Sequence, residues 1–141
     1  MEEIKTKPTK KKPQKKPQVH PEFVEISQKL RRLREAKGLT LVEASDRVGI
    51  GFVFLSEIER ALKAPSPAAI EGIAKVYDIN ECDLAIAYQK IPTTVLDSLT
   101  KRKDVLKLIY DMANNERLSE YDKETFYNEI VKKYNTLISS K

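Results

Sequence analysis

The stretch from Leu39 to Ser66, LTLVEASDRVGIGFVFLSEIERALKAPS, constrains this chain more tightly than any other. Thr40 and Glu43 have the S/T-x-x-E spacing in which a hydroxyl and a carboxylate satisfy N–H groups that a first helical turn leaves free. A helix therefore opens there, and Gly49 stands where it would close in a left-handed conformation. That helix runs from about Leu41 to Val48, roughly two turns. After Gly51 a second helix is predicted from about Phe52 to Ala61. Leu55 and Ile58, at i and i+3, form its buried stripe, and Pro65 closes the connection beyond it. Two short helices joined by a tight turn form a helix-turn-helix, which presents its second helix to a DNA major groove.

The flanking sequence reads as helix throughout. Phe23, Ile26, Leu30 and Leu33 recur at three- and four-residue steps, giving an amphipathic helix that stops at Gly38. Ser66 followed by Pro67 is an N-cap with proline at the first helical position, and Ile70, Ile73, Ala74 and Tyr77 supply the inner face of a fourth helix. Asn80 caps a short fifth helix that carries Leu84 and Tyr88. Beyond Pro92, Val95 and Leu99 share a face, and Val105, Leu106, Ile109 and Met112 continue it past a polar break at Lys101 to Asp104. Ser119 and Asp122 again have capping-box spacing ahead of Phe126, Ile130, Tyr134, Leu137 and Ile138. The expected fold is all-α: five helices packed as one domain, with additional C-terminal helices too short for a convincing core of their own. The expected domains are a basic tail over 1–20, a helix-turn-helix domain over 21–90 and a helical extension over 91–141. That extension is expected to dimerise, the alternative being that it completes the monomer core.

Charge is distributed unevenly. The net charge is +5, and residues 1–20 carry seven lysines against two glutamates, which accounts for all of it. The segment KTKPTKKKPQKKPQ has no apolar group to bury and is expected to be disordered in the free protein. Lys10, Lys11, Lys12, Lys15 and Lys16 would serve as a mobile arm on DNA phosphates, or simply as a solubilising tail. No apolar run approaches the ~20 residues of a membrane span, and the N-terminus lacks the apolar centre of a secretory signal. A cytoplasmic protein without membrane contact is expected. Cys82 stands alone, with a half-buried place on a helix as its ordinary role. His20 is the only histidine, so neither a nucleophile's base nor a metal cluster is in prospect, and no enzyme activity, metal or cofactor is expected.

The segments LRRLREAKGLT, DRVGI, LSEIER and APSPAAIEGIAKVYDI resemble the phage-repressor-like, Cro-type helix-turn-helix regulators, also called the xenobiotic response element family. The resemblance covers roughly residues 24–90 and implies a lambda-repressor-like DNA-binding domain. IPTTVLDSL is similar to the junction that some members place before short C-terminal helices. Carried onto this sequence, the resemblance implies a structural pair of Arg34 with Glu59. It implies phosphate contacts at Thr40, Lys63 and Ser66, and base-facing positions at Phe52, Val53, Ser56 and Glu57. Those four depart from the serine, arginine, glutamine or asparagine usual there, and Leu41 replaces the usual glutamine. No arginine or lysine is then expected for a bidentate guanine contact. Phe52 and Val53 would meet thymine methyls, Ser56 either base type and Glu57 a cytosine amino group.

The expected function is that of a sequence-specific transcriptional regulator. It would be a repressor that binds double-stranded DNA as a homodimer on an inverted repeat. A protein partner or a peptide is the expected kind of regulator. The competing expectation is an antitoxin-like or adaptor protein that grips a partner through the apolar helix-three surface or the C-terminal helices.

Overall fold

The computed structural model describes residues 13–141. Residues 13–20 are irregular and exposed, and a single 3-10 turn over Pro21–Phe23 leads into the helices. The first unit, ending at Pro92, contains α1 (Val24–Ala36), α2 (Leu41–Val48), α3 (Phe52–Glu59), α4 (Pro67–Tyr77) and α5 (Glu81–Ala87). Its core is one buried cluster that takes Phe23 and Leu30 from the first segment and Leu55 and Ile58 from α3. Ile70, Ile73 and Tyr77 come from α4, and Leu84 and Tyr88 from the last helix and its end. Ile26 and Leu33, expected in the same stripe, pack at its margin and stay partly exposed.

Local chemistry sets the helix ends. The Glu43 amide donates to Thr40 Oγ1 at 3.1 Å and the Thr40 amide to the Glu43 carboxylate at 3.5 Å, closing the capping box of α2. Gly49 ends that helix at φ 86°, a left-handed conformation that glycine adopts without a Cβ penalty. Ser66 accepts from the Ala69 amide at 3.2 Å and Asn80 from the Asp83 amide at 2.9 Å, so α4 and α5 open as predicted. Helix α3 stops at Glu59, two residues short of the expected Ala61. Ala61 is buried and takes φ 56°, which breaks the helical run. Cys82 is exposed and not half-buried as expected, because α5 turns Leu84 and Ala85 inward and carries Cys82 on the opposite side.

The second unit, Thr93–Lys141, contains α6 (Thr93–Lys101), α7 (Lys103–Asn114) and α8 (Glu120–Ser139). The polar break expected over Lys101 to Asp104 narrows to Arg102, whose guanidinium donates to both Asp104 oxygens at 3.0 and 2.8 Å. Lys101 and Lys103 therefore belong to helix ends and not to a loop. Helix α8 opens on the predicted box, with the Asp122 amide donating to Ser119 Oγ at 3.1 Å. Among these helices only Met112 is buried, and Ile130, Tyr134, Leu137 and Ile138 are exposed. Among the described residues, no helix is long and apolar enough to cross a membrane.

Candidate nucleic-acid interface

Helix α3 is held from beneath by two kinds of contact. Leu55 and Ile58 are fully buried, and Glu59, one residue on, turns inward toward α1. There the Arg34 Nε donates to Glu59 Oε1 at 2.6 Å and Nη2 donates to Oε2 at 2.9 Å, a bidentate pair in which both residues are 8% exposed. The remaining arm, Nη1, donates to the Leu39 carbonyl at 2.9 Å and so fastens the turn that precedes α2. The hydrogen bond to Glu59 raises the guanidinium pKa against the opposing effect of burial, so Arg34 keeps its charge. Tyr77, buried close by, has its phenol pushed up to about 12, mainly by burial and secondly by the Glu59 charge.

That bracing leaves the other side of α3 to solvent. Phe52 and Val53 are 54% and 56% exposed, while Ser56 and Glu57 are partly exposed. The Glu57 carboxylate lies 3.0 Å from the Lys63 ammonium, so a residue anticipated on bases and one anticipated on phosphate neutralise each other. Arg60, which the sequence reading passed over, is exposed one turn beyond Ser56, and its Nε donates to the Ser56 carbonyl at 3.3 Å. Positions 52, 56 and 60 are four apart and so share a helix face. That spacing was the available signal for a cation on this face.

The anticipated phosphate ligands sit on helix caps. Thr40 and Ser66 are exposed, and each hydroxyl accepts its cap amide while keeping a proton to donate outward. The tail enters beside α3, because the His20 amide donates to the Ala61 carbonyl at 2.8 Å, and the His20 ring lies 5.7 Å from that of Phe23. Lys15 and Lys16 are exposed just ahead of that anchor, whereas Lys10, Lys11 and Lys12 lie outside the described residues. A groove elsewhere on the same unit, between the entry turn and α5, is rimmed by Glu22, Glu25 and Asp83. Its carboxylates have the wrong sign for a phosphate backbone.

Residues 25–85 match a protein family described as "Helix-turn-helix domain". No curated protein matches the chain. Solved structures similar to it include the restriction-modification controller protein C.AhdI from Aeromonas hydrophila. That structure has 29% identity and a TM-score of 0.43, covering 46% of this chain and 98% of the other. The clp gene regulator ClgR from Corynebacterium glutamicum has 19% identity and a TM-score of 0.42, covering 70% and 100% respectively. A complex of the SinR and SinI proteins has 23% identity and a TM-score of 0.40, covering 82% and 99%. Residues 25–85, the length on which capping, bracing and family match coincide, are thus similar to a helix-turn-helix domain.

Proposed function

We propose that this protein is a sequence-specific DNA-binding transcriptional regulator, a cytoplasmic repressor that acts as a homodimer on an inverted repeat. The observation that carries the reading is the rigid seating of α3. Leu55, Ile58 and the Arg34–Glu59 pair fix its inner side, while Phe52, Val53, Ser56 and Arg60 remain on its outer side. A helix held in this way enters a major groove without reordering cost. Thr40, Ser66 and Lys63 serve as the phosphate contacts, with the Lys63 ammonium using a further N–H for phosphate while it keeps its pair with Glu57. In this reading residues 1–20 form a phosphate-binding arm, 21–90 the DNA-binding domain and 91–141 the dimerisation region. Occupying a promoter is enough to repress, so the function calls for no catalytic group, metal or cofactor.

One observation favours a second reading. The exposed Phe52–Val53 pair and the mutual neutralisation of Glu57 and Lys63 suit a protein interface, as in an antitoxin-like or adaptor role. Selection of the full chain against random duplexes separates the two. The regulator returns a site, an inverted repeat, at which each mismatch costs about 1 to 3 kcal/mol. The adaptor shows only salt-sensitive binding without preference.

A further inference from the structure

We propose that the outer face of α3 reads the C5-methyl groups of pyrimidines in the major groove, so that binding depends on methyls and not on hydrogen bonds at those positions. The inference rests on the DNA-binding reading above. Phe52 and Val53 are the first two residues of α3, the end that reaches base edges when such a helix docks. Neither side chain can donate or accept a hydrogen bond. Their exposure is not a packing failure, because Leu55 and Ile58 of the same helix are fully buried and Phe54 packs against the core. Val42, in the first turn of α2, is also exposed.

Apolar groups of this kind have one complement on base edges, the methyl at C5 of thymine. A methylated cytosine presents the same methyl from the same ring atom, whereas unmodified cytosine and uracil present none. The acceptor on this face that would favour a cytosine amino group, Glu57, is held by Lys63 at 3.0 Å. The surroundings select a duplex over a protein as the occupant. Arg60 lies on the same face, two hydroxyl-capped helix starts lie on α2 and α4, and the lysine-bearing segment is anchored at the Ala61 carbonyl. Such a cationic and hydroxyl-bearing border is complementary to a phosphate backbone.

The test uses the full-length protein and the duplex returned by random selection, with thymines replaced one at a time by deoxyuridine, which deletes only the methyl. At one or more positions the replacement should weaken binding about four-fold per methyl, the factor expected for one buried methyl group. Phe52→Ala should bind the thymine and deoxyuridine duplexes equally at its position, while Phe52→Leu should keep the preference. A T·A pair exchanged for C·G at that position should lose affinity, and 5-methylcytosine in place of cytosine should restore part of it. Restoration identifies the methyl as the shared determinant; if 5-methylcytosine binds no better than cytosine, the proposal fails for that base and holds for thymine alone. Equal affinity for thymine and deoxyuridine at every position overturns it. So does a Phe52→Ala protein that retains the preference at every position, or one that binds every duplex as the parent does while losing a protein partner. If selection returns no site, the DNA-reading function itself fails, which is a separate result.

Discussion

At the scale of single residues, the Arg34–Glu59 pair holds α3 to the rest of the unit. Two charge-assisted hydrogen bonds and a third to the Leu39 carbonyl use the guanidinium fork in full. Removing one partner strands the other charge in the interior, so Arg34→Ala or Glu59→Ala should cost about 3 to 5 kcal/mol, read as a drop in urea midpoint. A loss well under 1 kcal/mol would place the pair among surface ion pairs. Tyr77 and Tyr88 bear on alkaline stability. Burial pushes both phenols from 10.0 up to about 12, and a hydrogen bond between the Tyr88 hydroxyl and Ser27 at 2.9 Å offsets only part of that for Tyr88. The unfolded chain loses these protons near pH 10 while the folded one keeps them to about 12. Their contribution is thus complete below pH 10 and declines as pH rises toward 12. Urea midpoints should fall across that window, and fall less steeply in Tyr88→Phe. Parallel curves for the two proteins would show that Tyr88 does not titrate with unfolding.

At the scale of the element, what could be read from sequence was what depends on near neighbours in the chain. The Thr40–Glu43 and Ser119–Asp122 boxes, the Ser66 and Asn80 caps and the Leu55–Ile58 stripe involve residues three apart, so their hydrogen bonds and shared faces follow from spacing alone. The end of α3 was not legible, because Ala61 leaves the helix to occupy a buried site that only the packed unit defines. Nor was the Glu57–Lys63 pair, which forms across the turn at Ala61 between residues six apart. Gly72 is the clearest such case. A glycine within α4 costs about 1 kcal/mol relative to alanine on propensity alone. Here a Cβ would come 2.7 Å from the Val48 carbonyl oxygen, backbone of α2 that has no rotamer by which to give way. Alanine at 72 should therefore destabilise despite its better propensity, by about 1 to 3 kcal/mol as overpacking does. Gly72→Ala should also weaken DNA binding by tilting α2. Unchanged or raised stability in thermal unfolding would mean that the two helices separate freely.

At the scale of the whole molecule, the two units differ in how they treat apolar surface. The first buries most of its large apolar side chains in one cluster, with Phe52 and Val53 among the exceptions, whereas the second leaves Val95, Leu96, Leu106, Ile109, Ile130, Val131, Tyr134, Leu137 and Ile138 exposed. Helix α8 concentrates the effect. Its twenty residues carry Tyr127, Ile130, Tyr134 and Leu137 at alternating steps of three and four, with none of them buried. A stripe with that spacing is the seam along which two helices pair. Exposed contiguous apolar surface on this scale is unfavourable in water, and covering it with a second copy relieves both protomers at once. Dimerisation through residues 91–141 would also set two α3 helices on a twofold axis, as an inverted repeat about 34 Å between half-sites requires. Sedimentation equilibrium should accordingly give twice the chain mass for the full-length protein and the single chain mass for Ile130→Glu with Leu137→Glu. Because both positions are exposed, the substitutions should leave the unfolding midpoint of the first unit unchanged. Affinity for a two-half-site duplex should then fall far more than affinity for a single half-site, since the link that makes the second contact intramolecular is gone. A doubly substituted protein that still sediments as a dimer would assign self-association elsewhere in the chain and leave the α8 stripe to a different partner.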